Sequence, residues 1–174
     1  MAEAALGSRK ALALSRPDIG RLLALLLPLG LLGGALGSQY IGGLHPCEMC
    51  YWQRWPHAAA ILLAALAFTA PAESSRSRVL TLLAGVAIAV SGAIGVYHAG
   101  VELGVFEGFT TCTSTARGAT TEELLKQIMQ VPLVRCDEVQ WAFLGISMAG
   151  WNAILSLGGA AAIAWLTLGA RRAG

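Results

Sequence analysis

Residues 79–101 read VLTLLAGVAIAVSGAIGVYHAGV and contain no Asp, Glu, Lys or Arg. This uncharged stretch of 23 residues separates Arg78 from Glu102. A helix needs about 20 mainly apolar residues to cross the roughly 30 Å of hydrocarbon in a membrane. The apolar residues run continuously and do not alternate with polar ones, as they would in a strand of a membrane β-barrel. The stretch therefore predicts a transmembrane helix.

Three further windows without charged residues lie on either side of this one, at residues 22–47, 55–72 and 139–170. The chain of 174 residues is 56% hydrophobic and 13% charged, whereas a soluble domain carries roughly 25% charged residues. These windows predict an all-α membrane protein, a four-transmembrane-helix bundle in which residues 1–174 form a single membrane domain. The predicted spans are about 20–42, 55–72, 79–101 and 141–169.

Small residues recur at every fourth position within these spans. The three sets are Gly30, Gly34 and Ser38; Ser91, Gly95 and Ala99; and Gly145, Ala149 and Ala153. Small side chains at this spacing let helix backbones approach closely in lipid, where no hydrophobic force drives helices together. The pattern favours a compact bundle.

Basic residues are divided unequally between the two sides of the predicted bundle. Eight of the twelve Lys and Arg residues lie in the N-terminal arm, the 73–78 turn and the C-terminal tail. The other side carries seven of the ten acidic residues. This split, which the net charge of +2 hides, is a topology signal and no indication of nucleic-acid binding. Loops rich in Lys and Arg stay in the cytoplasm. We therefore expect both termini to be cytoplasmic and the loops at about 43–54 and 102–140 to lie on the opposite side, which in a bacterial inner membrane is the periplasm.

Two segments of the chain carry additional predictions. The first apolar stretch is longer than the roughly 7–15 residues of a cleaved signal core, so we expect it to remain as the first span. In the second periplasmic loop, Thr120-Thr121-Glu122-Glu123 is typical of a helix capping box. A short amphipathic helix is predicted there, with an apolar face formed by Leu124, Leu125, Ile128 and Met129. It could lie on the membrane surface or dock on the bundle.

All four cysteines, Cys47, Cys50, Cys112 and Cys136, lie in the two loops predicted to be periplasmic. Disulfides persist in that oxidising compartment, and the obvious pairing is Cys47 with Cys50 and Cys112 with Cys136. A structural staple suits the second pair, whose loop of about 25 residues would gain about 3.5 kcal/mol in the chain-entropy model. It suits the first pair poorly, because a CxxC ring is small and commonly serves redox exchange or metal binding. Redox chemistry, structural staples and a four-cysteine zinc site are the open alternatives.

The CxxC pair lies at the edge of the second span. Pro56 is tolerated in the first turn of a helix, so we expect this helix to begin near residues 52–56. Cys50 would then lie near the positive end of the helix dipole, where a thiolate is favoured. Arg54 is the only basic residue beside a span on the acidic side. It either anchors the chain at lipid headgroups or holds a negative charge, which could be a Cys50 thiolate, a reduced quinone or both.

Residues 46–54, PCEMCYWQR, resemble the PCxxCxxQR signature of the DsbB family, bacterial membrane proteins that reoxidise a periplasmic thiol oxidase. The resemblance extends over the four spans, both cysteine pairs and residues 140–148, QWAFLGISM. Glu48 departs from the family pattern, because many members have an apolar residue between the two cysteines. A nearby negative charge disfavours a thiolate.

The resemblance implies a disulfide relay. A DsbA-like partner, a periplasmic thioredoxin-like thiol oxidase, would attack the Cys112–Cys136 disulfide, and Cys112 would take the mixed disulfide. Cys136 would then attack Cys47 and release Cys50 as a thiolate.

The resemblance also implies a quinone, ubiquinone or menaquinone, drawn from the pool in the membrane lipid. Arg54 would polarise it beside Cys50, and His98 and Met148 match family positions near it. A lone interfacial histidine or a core methionine often has a packing role, so packing is the alternative for both.

Two other functions remain open. The first is a vitamin K epoxide reductase-like disulfide former, although that family carries its quinone-side CxxC at the final span. The second is a metal-binding or disulfide-stapled structural membrane protein. His45 and His57 flank the CxxC motif and keep a metal site open.

Overall fold

The computed structural model of the chain describes residues 14–108, 120–122 and 134–169. Its elements are α1 (Arg16–Tyr40), α2 (Glu48–Ala67), α3 (Ser75–Glu102), β1 (Ala142–Phe143), β2 (Ile146–Ser147) and α4 (Met148–Gly169). Helix α3 packs against α2 and α4, and α1 closes the ring by packing against the same two helices. The described part of the chain is therefore mostly helical, as predicted, and its four helices form a bundle.

Polar side chains cap the helices at their N-terminal ends. At α1, the Ser15 Oγ accepts a hydrogen bond from the N–H of Asp18, and the Asp18 carboxylate accepts one from the N–H of Ser15. At α3, the Ser74 Oγ accepts a hydrogen bond from the N–H of Ser77 at 3.2 Å. These caps satisfy N–H groups that have no partner within the first turn. Local chemistry thus fixes where these two helices begin.

Helix α2 begins earlier than the sequence predicts. Its first residue is Glu48, and not a residue near 52–56, because the Cys47 sulfur caps the helix by accepting a hydrogen bond from the N–H of Cys50. Pro56 therefore lies inside the helix, where its missing N–H removes one backbone hydrogen bond. The expected placement of Cys50 near the positive helix end holds, since Cys50 lies in the first turn.

Three described helices, α1, α3 and α4, are long and apolar enough to cross a membrane. Helix α2 does not reach that standard, because Gln53, Arg54 and His57 interrupt its first three turns and it ends at Ala67. The predicted second span extended to residue 72. These helices support a multi-pass membrane protein, and the count of four spans stays a prediction.

A short antiparallel hairpin, β1–β2, precedes α4. Its two turn residues, Leu144 and Gly145, have positive φ angles of 53° and 77°, as a two-residue hairpin turn requires. The fourth helix therefore begins at Met148, and the predicted start at residue 141 is wrong. The all-α prediction did not include this hairpin, because an apolar hairpin cannot be distinguished from a helix by hydropathy.

The small-residue sets have different roles in the bundle. A Cβ atom added to Gly95 would lie 3.0 Å from the Ala149 carbonyl oxygen and 3.1 Å from the Ala153 nitrogen, so α3 and α4 approach closely there. Gly30 and Gly34 have no atom within 4 Å of such a Cβ position, so they form no helix contact among the described residues. Gly145 lies in the hairpin turn. The second predicted set is therefore a packing contact, and the first is not.

Some predictions fall outside the described residues. Thr121 and Glu122 are helical, and the rest of the predicted amphipathic helix lies outside. Cys112, residues 1–13 and residues 170–174 lie outside as well. The Cys112–Cys136 pairing and the single-domain organisation stay predictions.

Candidate functional site

The two cysteines of the CxxC motif lie at the N-terminal end of α2. Cys47 is the N-cap and is only 2% exposed, and Cys50 lies in the first turn. Their sulfur atoms are 3.0 Å apart, with the Cys47 thiol donating a hydrogen bond to the Cys50 Sγ. The N–H of Cys50 donates to the Cys47 Sγ at 3.4 Å. The cap geometry of the helix therefore holds the two sulfur atoms in contact.

In the reduced pair, Cys47 and Cys50 differ in how readily they carry a negative charge. The hydrogen bond to Cys50, followed by burial, raises the pKa of the Cys47 thiol above its usual value. When the pair loses its first proton, the charge rests on Cys50, which receives this hydrogen bond and lies at the positive end of α2. Cys50 is thus the thiolate of the reduced pair, and Cys47 is its proton donor.

Cys136 lies against this pair from the other predicted periplasmic loop. It is 4% exposed and packs with Cys47, Met49 and Val101 in one buried cluster. The sulfur atoms of Cys47 and Cys136 and a ring nitrogen of His98 lie within 4.8 Å of one another. The structure therefore brings together two cysteines that are 89 positions apart in the sequence.

The same three atoms form a candidate metal-ligand set in the described part of the chain. The two histidines that flank the motif do not belong to it. His45 is exposed, and the Nε2 of His57 lies 2.9 Å from both Ser91 Oγ and Asn152 Oδ1. The suggestion that His45 and His57 could hold a metal beside the cysteines is therefore wrong for His57, which faces the bundle interior.

The Arg54 guanidinium is held by α1. Its terminal nitrogens donate hydrogen bonds to the Gln39 Oε1 at 2.5 Å and to the Ala35 carbonyl oxygen at 3.1 Å. It also lies over the Tyr51 ring, 5.1 Å from the ring centroid. Its Nε atom is buried and has no hydrogen-bond partner among the described residues. Because a guanidinium has five N–H donors, Arg54 retains donors that can bind a negatively charged group.

A cavity of about 760 Å³ opens beside the cysteine pair. Pockets of roughly 300–1,000 Å³ with apolar walls and a few polar groups are typical of small-molecule sites. The walls of this cavity are mostly apolar and include the Trp141, Phe143 and Trp151 rings. The lining also contains the four residues that the resemblance associates with quinone, Cys50, Arg54, His98 and Met148, together with Cys47.

Glu102 is a site residue that the sequence reasoning did not identify, because it served only to mark the outer end of a span. Its carboxylate is buried, lines the cavity and lies 3.8 Å from the Nε2 of His98. It accepts a hydrogen bond from the Ser147 Oγ, and Ser147 also caps α4 by accepting from the N–H of Gly150. The available signal was the spacing, since Glu102 follows His98 by four residues and so shares its helix face.

A set of buried polar side chains, here called the polar cluster, extends from His98 into the bundle. Its members are Gln53, His57, Ser91, His98 and Asn152. The Asn152 Nδ2 donates to the Gln53 Oε1 at 2.8 Å, and the Ser91 Oγ donates to the Gln53 carbonyl oxygen at 2.8 Å. The sequence reasoning gave Ser91 only a packing role and Asn152 none. Polar residues within membrane spans are rare away from functional sites, and that rule could have identified both.

The chain is similar in sequence to a family of known proteins. The family model described as "Disulfide bond formation protein DsbB" matches residues 17–166. The disulfide bond formation protein B of Marinobacter nauticus is 31% identical over 140 residues, which cover 76% of this chain and 80% of that protein. The proteins of the same name from Hahella chejuensis and Xanthomonas oryzae are each 28% identical, and each match covers 79% of this chain. The match covers 86% of the Hahella protein and 82% of the Xanthomonas protein. No solved structure matches the chain.

Proposed function

Because the chain belongs to the DsbB family of disulfide bond formation proteins, we propose that it is a thiol:quinone oxidoreductase. It is a multi-pass membrane protein with an oxidoreductase role in disulfide formation. The proposed reaction reoxidises a periplasmic thioredoxin-like, DsbA-like dithiol oxidase and passes the electrons to ubiquinone or menaquinone.

One observation carries the proposal. The sulfur atoms of Cys47 and Cys136 lie within 4.8 Å of each other, and Cys47 lines the cavity. Cys136 belongs to the loop that would meet the partner, and Cys47 belongs to the pair beside the cavity. A staple would need each sulfur only next to its own partner. Contact between the two loops is what electron transfer from one disulfide to the other requires.

The first half of the proposed relay moves an electron pair inwards. A thiolate of the reduced partner attacks Cys112, so that a bond forms between them and Cys136 leaves with the electron pair. The Cys136 thiolate then attacks Cys47, the Cys47–Cys136 bond forms, and the Cys47–Cys50 bond breaks. The electron pair rests on Cys50, where the N-terminus of α2 and Arg54 stabilise the negative charge.

The second half restores the outer disulfide. The second thiol of the partner displaces Cys112, which releases the oxidised partner. The Cys112 thiolate then attacks Cys136, so that the Cys112–Cys136 bond forms and Cys47 leaves with an electron pair. The inner cysteines are then a reduced pair, with both sulfur atoms facing the same cavity.

The residues around the cavity fit a quinone. Its apolar walls suit an isoprenoid-bearing ring, and Arg54, which lines the cavity and has five N–H donors, can donate a hydrogen bond to a ring oxygen. A quinone bound there would supply the acceptor for two electrons and two protons. Cys47 and Cys50 would lose those electrons and re-form their disulfide. His98 and Met148 would contact the ring, and Glu102 could hold a proton at the wall.

The proposed location is the bacterial inner membrane, with both termini in the cytoplasm. The unequal distribution of Lys and Arg supports this orientation. It would place the CxxC end of the bundle in the oxidising periplasm, where the thioredoxin-like partner is found. The opposite orientation would keep the cysteines reduced.

Quinone reduction by the purified protein tests the proposal. Reduced thioredoxin-like partner would be mixed with the protein and increasing concentrations of short-chain ubiquinone or menaquinone. We expect turnover that requires Cys50, and we expect Arg54→Met to weaken it about 10- to 100-fold, as the loss of a charge-assisted hydrogen bond does. Arg54→Lys should fall between, because lysine keeps the charge but loses the planar donors.

Arg78→Met is the matched control, because Arg78 pairs with Glu73 at the other end of the bundle. It should leave quinone kinetics unchanged. Reduction of neither quinone by the parent protein would refute the proposed function. Unchanged quinone kinetics in Arg54→Met would leave Arg54 as an anchor.

A further inference from the structure

Two backbone carbonyl groups fix the orientation of the side-chain amides in the polar cluster. The Gln53 Nε2 lies 3.1 Å from the Met49 carbonyl oxygen, and the Asn152 Nδ2 lies 3.2 Å from the Ser91 carbonyl oxygen. A carbonyl oxygen can only accept a hydrogen bond. The side-chain atom facing it must therefore be the amide nitrogen in both cases.

The amide orientation decides which ring nitrogen of His98 carries the proton. The same Gln53 Nε2 lies 2.9 Å from the His98 Nδ1. An amide nitrogen can only donate, so Nδ1 must accept and a neutral His98 carries its proton on Nε2. Asn152 reinforces this arrangement by donating to the Gln53 Oε1 at 2.8 Å. A reversed Gln53 amide would place nitrogen against nitrogen at Asn152 and oxygen against oxygen at Met49.

The protonated Nε2 of His98 faces the cysteines. It lies 3.5 Å from the Cys47 Sγ and 3.8 Å from the Glu102 Oε1, and the ring also forms a hydrogen bond with the backbone of Cys136. The second donor to the Cys47 Sγ is the N–H of Cys50. Two N–H groups therefore point at a buried sulfur atom, and such donors stabilise that sulfur most when it is negatively charged.

We propose that Gln53 and Asn152 are positioning residues that hold His98 as its Nε2–H tautomer, so that the ring donates a hydrogen bond to Cys47 when that sulfur leaves as a thiolate. In the proposed relay this occurs when Cys112 attacks Cys136 and the Cys47–Cys136 bond breaks with the electron pair on Cys47. The assigned step rests on the proposed function, whereas the tautomer follows from the hydrogen bonds alone.

The tautomer also bears on the metal alternative. A metal-bound histidine offers a lone pair to the ion and donates its other N–H to a carbonyl or carboxylate group. His98 has the reverse arrangement, with a proton on the nitrogen that faces Cys47 and Cys136 and an acceptor nitrogen that faces Gln53. The cluster is organised for hydrogen bonding to sulfur.

The tautomer can be measured directly on the parent protein. ¹⁵N NMR of labelled protein in detergent micelles, without quinone, distinguishes protonated from unprotonated ring nitrogens, and His45, which is exposed, is the internal reference. We expect the His98 signal to show a proton on Nε2 and none on Nδ1. In Gln53→Glu, measured at a pH at which the carboxyl group is ionised, the side chain can only accept at Nδ1, so the Nδ1 signal should become that of a protonated nitrogen. A proton on Nδ1 in the parent protein would overturn the proposal.

The effect on Cys47 can be measured with a small thiol. The Cys50→Ser/Cys112→Ser variant, oxidised to the Cys47–Cys136 disulfide, would be treated with reduced glutathione. Attack on Cys136 forms a Cys136–glutathione bond and releases Cys47 with the electron pair. Peptide mass spectrometry locates the glutathione, and the reaction rate follows its appearance.

We expect glutathione on Cys136 in this background. Adding Gln53→Leu should slow the reaction about 10-fold, by loss of a hydrogen bond to a charged group, and should shift glutathione towards Cys47. Thr81→Val is the matched control, because it removes a buried hydroxyl whose one hydrogen bond among the described residues is to the Ser77 carbonyl of its own helix. The parent protein could have the Nε2–H tautomer while Gln53→Leu changes neither the rate nor the position of glutathione attack. That result would show that the orientation of the His98 ring has no role at Cys47. If the parent protein did not reduce quinone, the proposed function would fail, but the tautomer and the glutathione reaction could still be measured.

Discussion

Two buried clusters occupy neighbouring levels of the same bundle and differ in composition. The apolar cluster consists of Ala24, Ala60, Ala64, Ala84, Ile88 and Ile163. The polar cluster begins about one helical turn away, because Ala60 follows His57 by three positions and Ser91 follows Ile88 by three positions. In a membrane, apolar side chains gain little by leaving lipid for protein, so the apolar cluster stabilises the bundle through close packing of small residues. Buried polar groups cost free energy unless they are paired, and the polar cluster pairs its members with one another beside the cavity.

This difference indicates that the apolar cluster serves stability and the polar cluster serves function within the same fold. Hydrogen bonds between membrane helices contribute only about 0.6 kcal/mol on average, so an apolar replacement of the polar cluster would cost the fold little. Intramembrane polar residues are retained chiefly for function. We therefore expect substitutions in the apolar cluster to reduce stability, and substitutions at the polar end to reduce turnover.

Cys136→Ser should give the largest effect and should change only turnover. Without Cys136, the Cys112 thiol cannot form a disulfide within the chain. It attacks the disulfide of the oxidised thioredoxin-like partner instead, so that a mixed disulfide forms and the second sulfur of the partner leaves as a thiolate. Because no thiol then passes electrons on to Cys47, quinone reduction should fall on the order of 10³-fold or more. Non-reducing gels and mass spectrometry detect the adduct. If no adduct forms and Cys47 and Cys50 stay oxidised, Cys112 and Cys136 are a structural pair.

Ile163→Ala should reduce the stability of the protein and leave its turnover unchanged. Ile163 is fully buried, and truncation of a buried isoleucine leaves a cavity that costs about 2–4 kcal/mol. Denaturant unfolding in detergent measures the loss, and turnover of the folded fraction should be unchanged. Ile154→Ala, an exposed position on the same helix, should change the free energy of unfolding by less than about 0.5 kcal/mol. If Ile163→Ala and Ile154→Ala lowered the free energy of unfolding equally, the apolar cluster would not be what stabilises the bundle.

Gly92→Ala tests the boundary between the clusters and should have the smallest effect. An added Cβ would lie 2.9 Å from the Leu157 Cγ and 3.1 Å from the Ser156 Cβ, so we expect a loss of about 1–3 kcal/mol from overpacking. Gly33→Ala, where no atom lies within 4 Å, should instead stabilise α1 by up to about 1 kcal/mol through helix propensity. Matching thermal shifts in the two variants would show that α3 and α4 are not in close contact there.

The sequence predicts the helices well because charge is excluded from hydrocarbon. Three of the four uncharged windows correspond to described helices that could cross a membrane. The errors occur where local backbone chemistry prevails over hydropathy. A sulfur cap starts α2 at Glu48, and the turn at Leu144 and Gly145 replaces the first turns of the predicted fourth span.

The candidate site is predictable only in part. The signature residues Cys47, Cys50 and Arg54 lie together because they occupy consecutive turns of one helix, and the sequence displays that spacing directly. The contact of Gln53 with Asn152 joins residues 99 positions apart, and the contact of Ser147 with Glu102 joins residues 45 apart. Such pairs depend on how the helices pack, and packing cannot be read from a single sequence.

Disulfide formation between Cys47 and Cys136 tests the central claim, transfer of electrons from one loop to the other, most directly. The Cys50→Ser/Cys112→Ser variant retains these two cysteines, and the Cys47→Ser/Cys112→Ser variant retains Cys50 and Cys136 as the matched control. Both would be treated with a mild thiol oxidant, and the bridges would be quantified by mass spectrometry over time. The account predicts rapid and nearly complete formation of Cys47–Cys136 and much slower formation of Cys50–Cys136. Preferential formation of Cys50–Cys136, or no bridge in either folded variant, would contradict it.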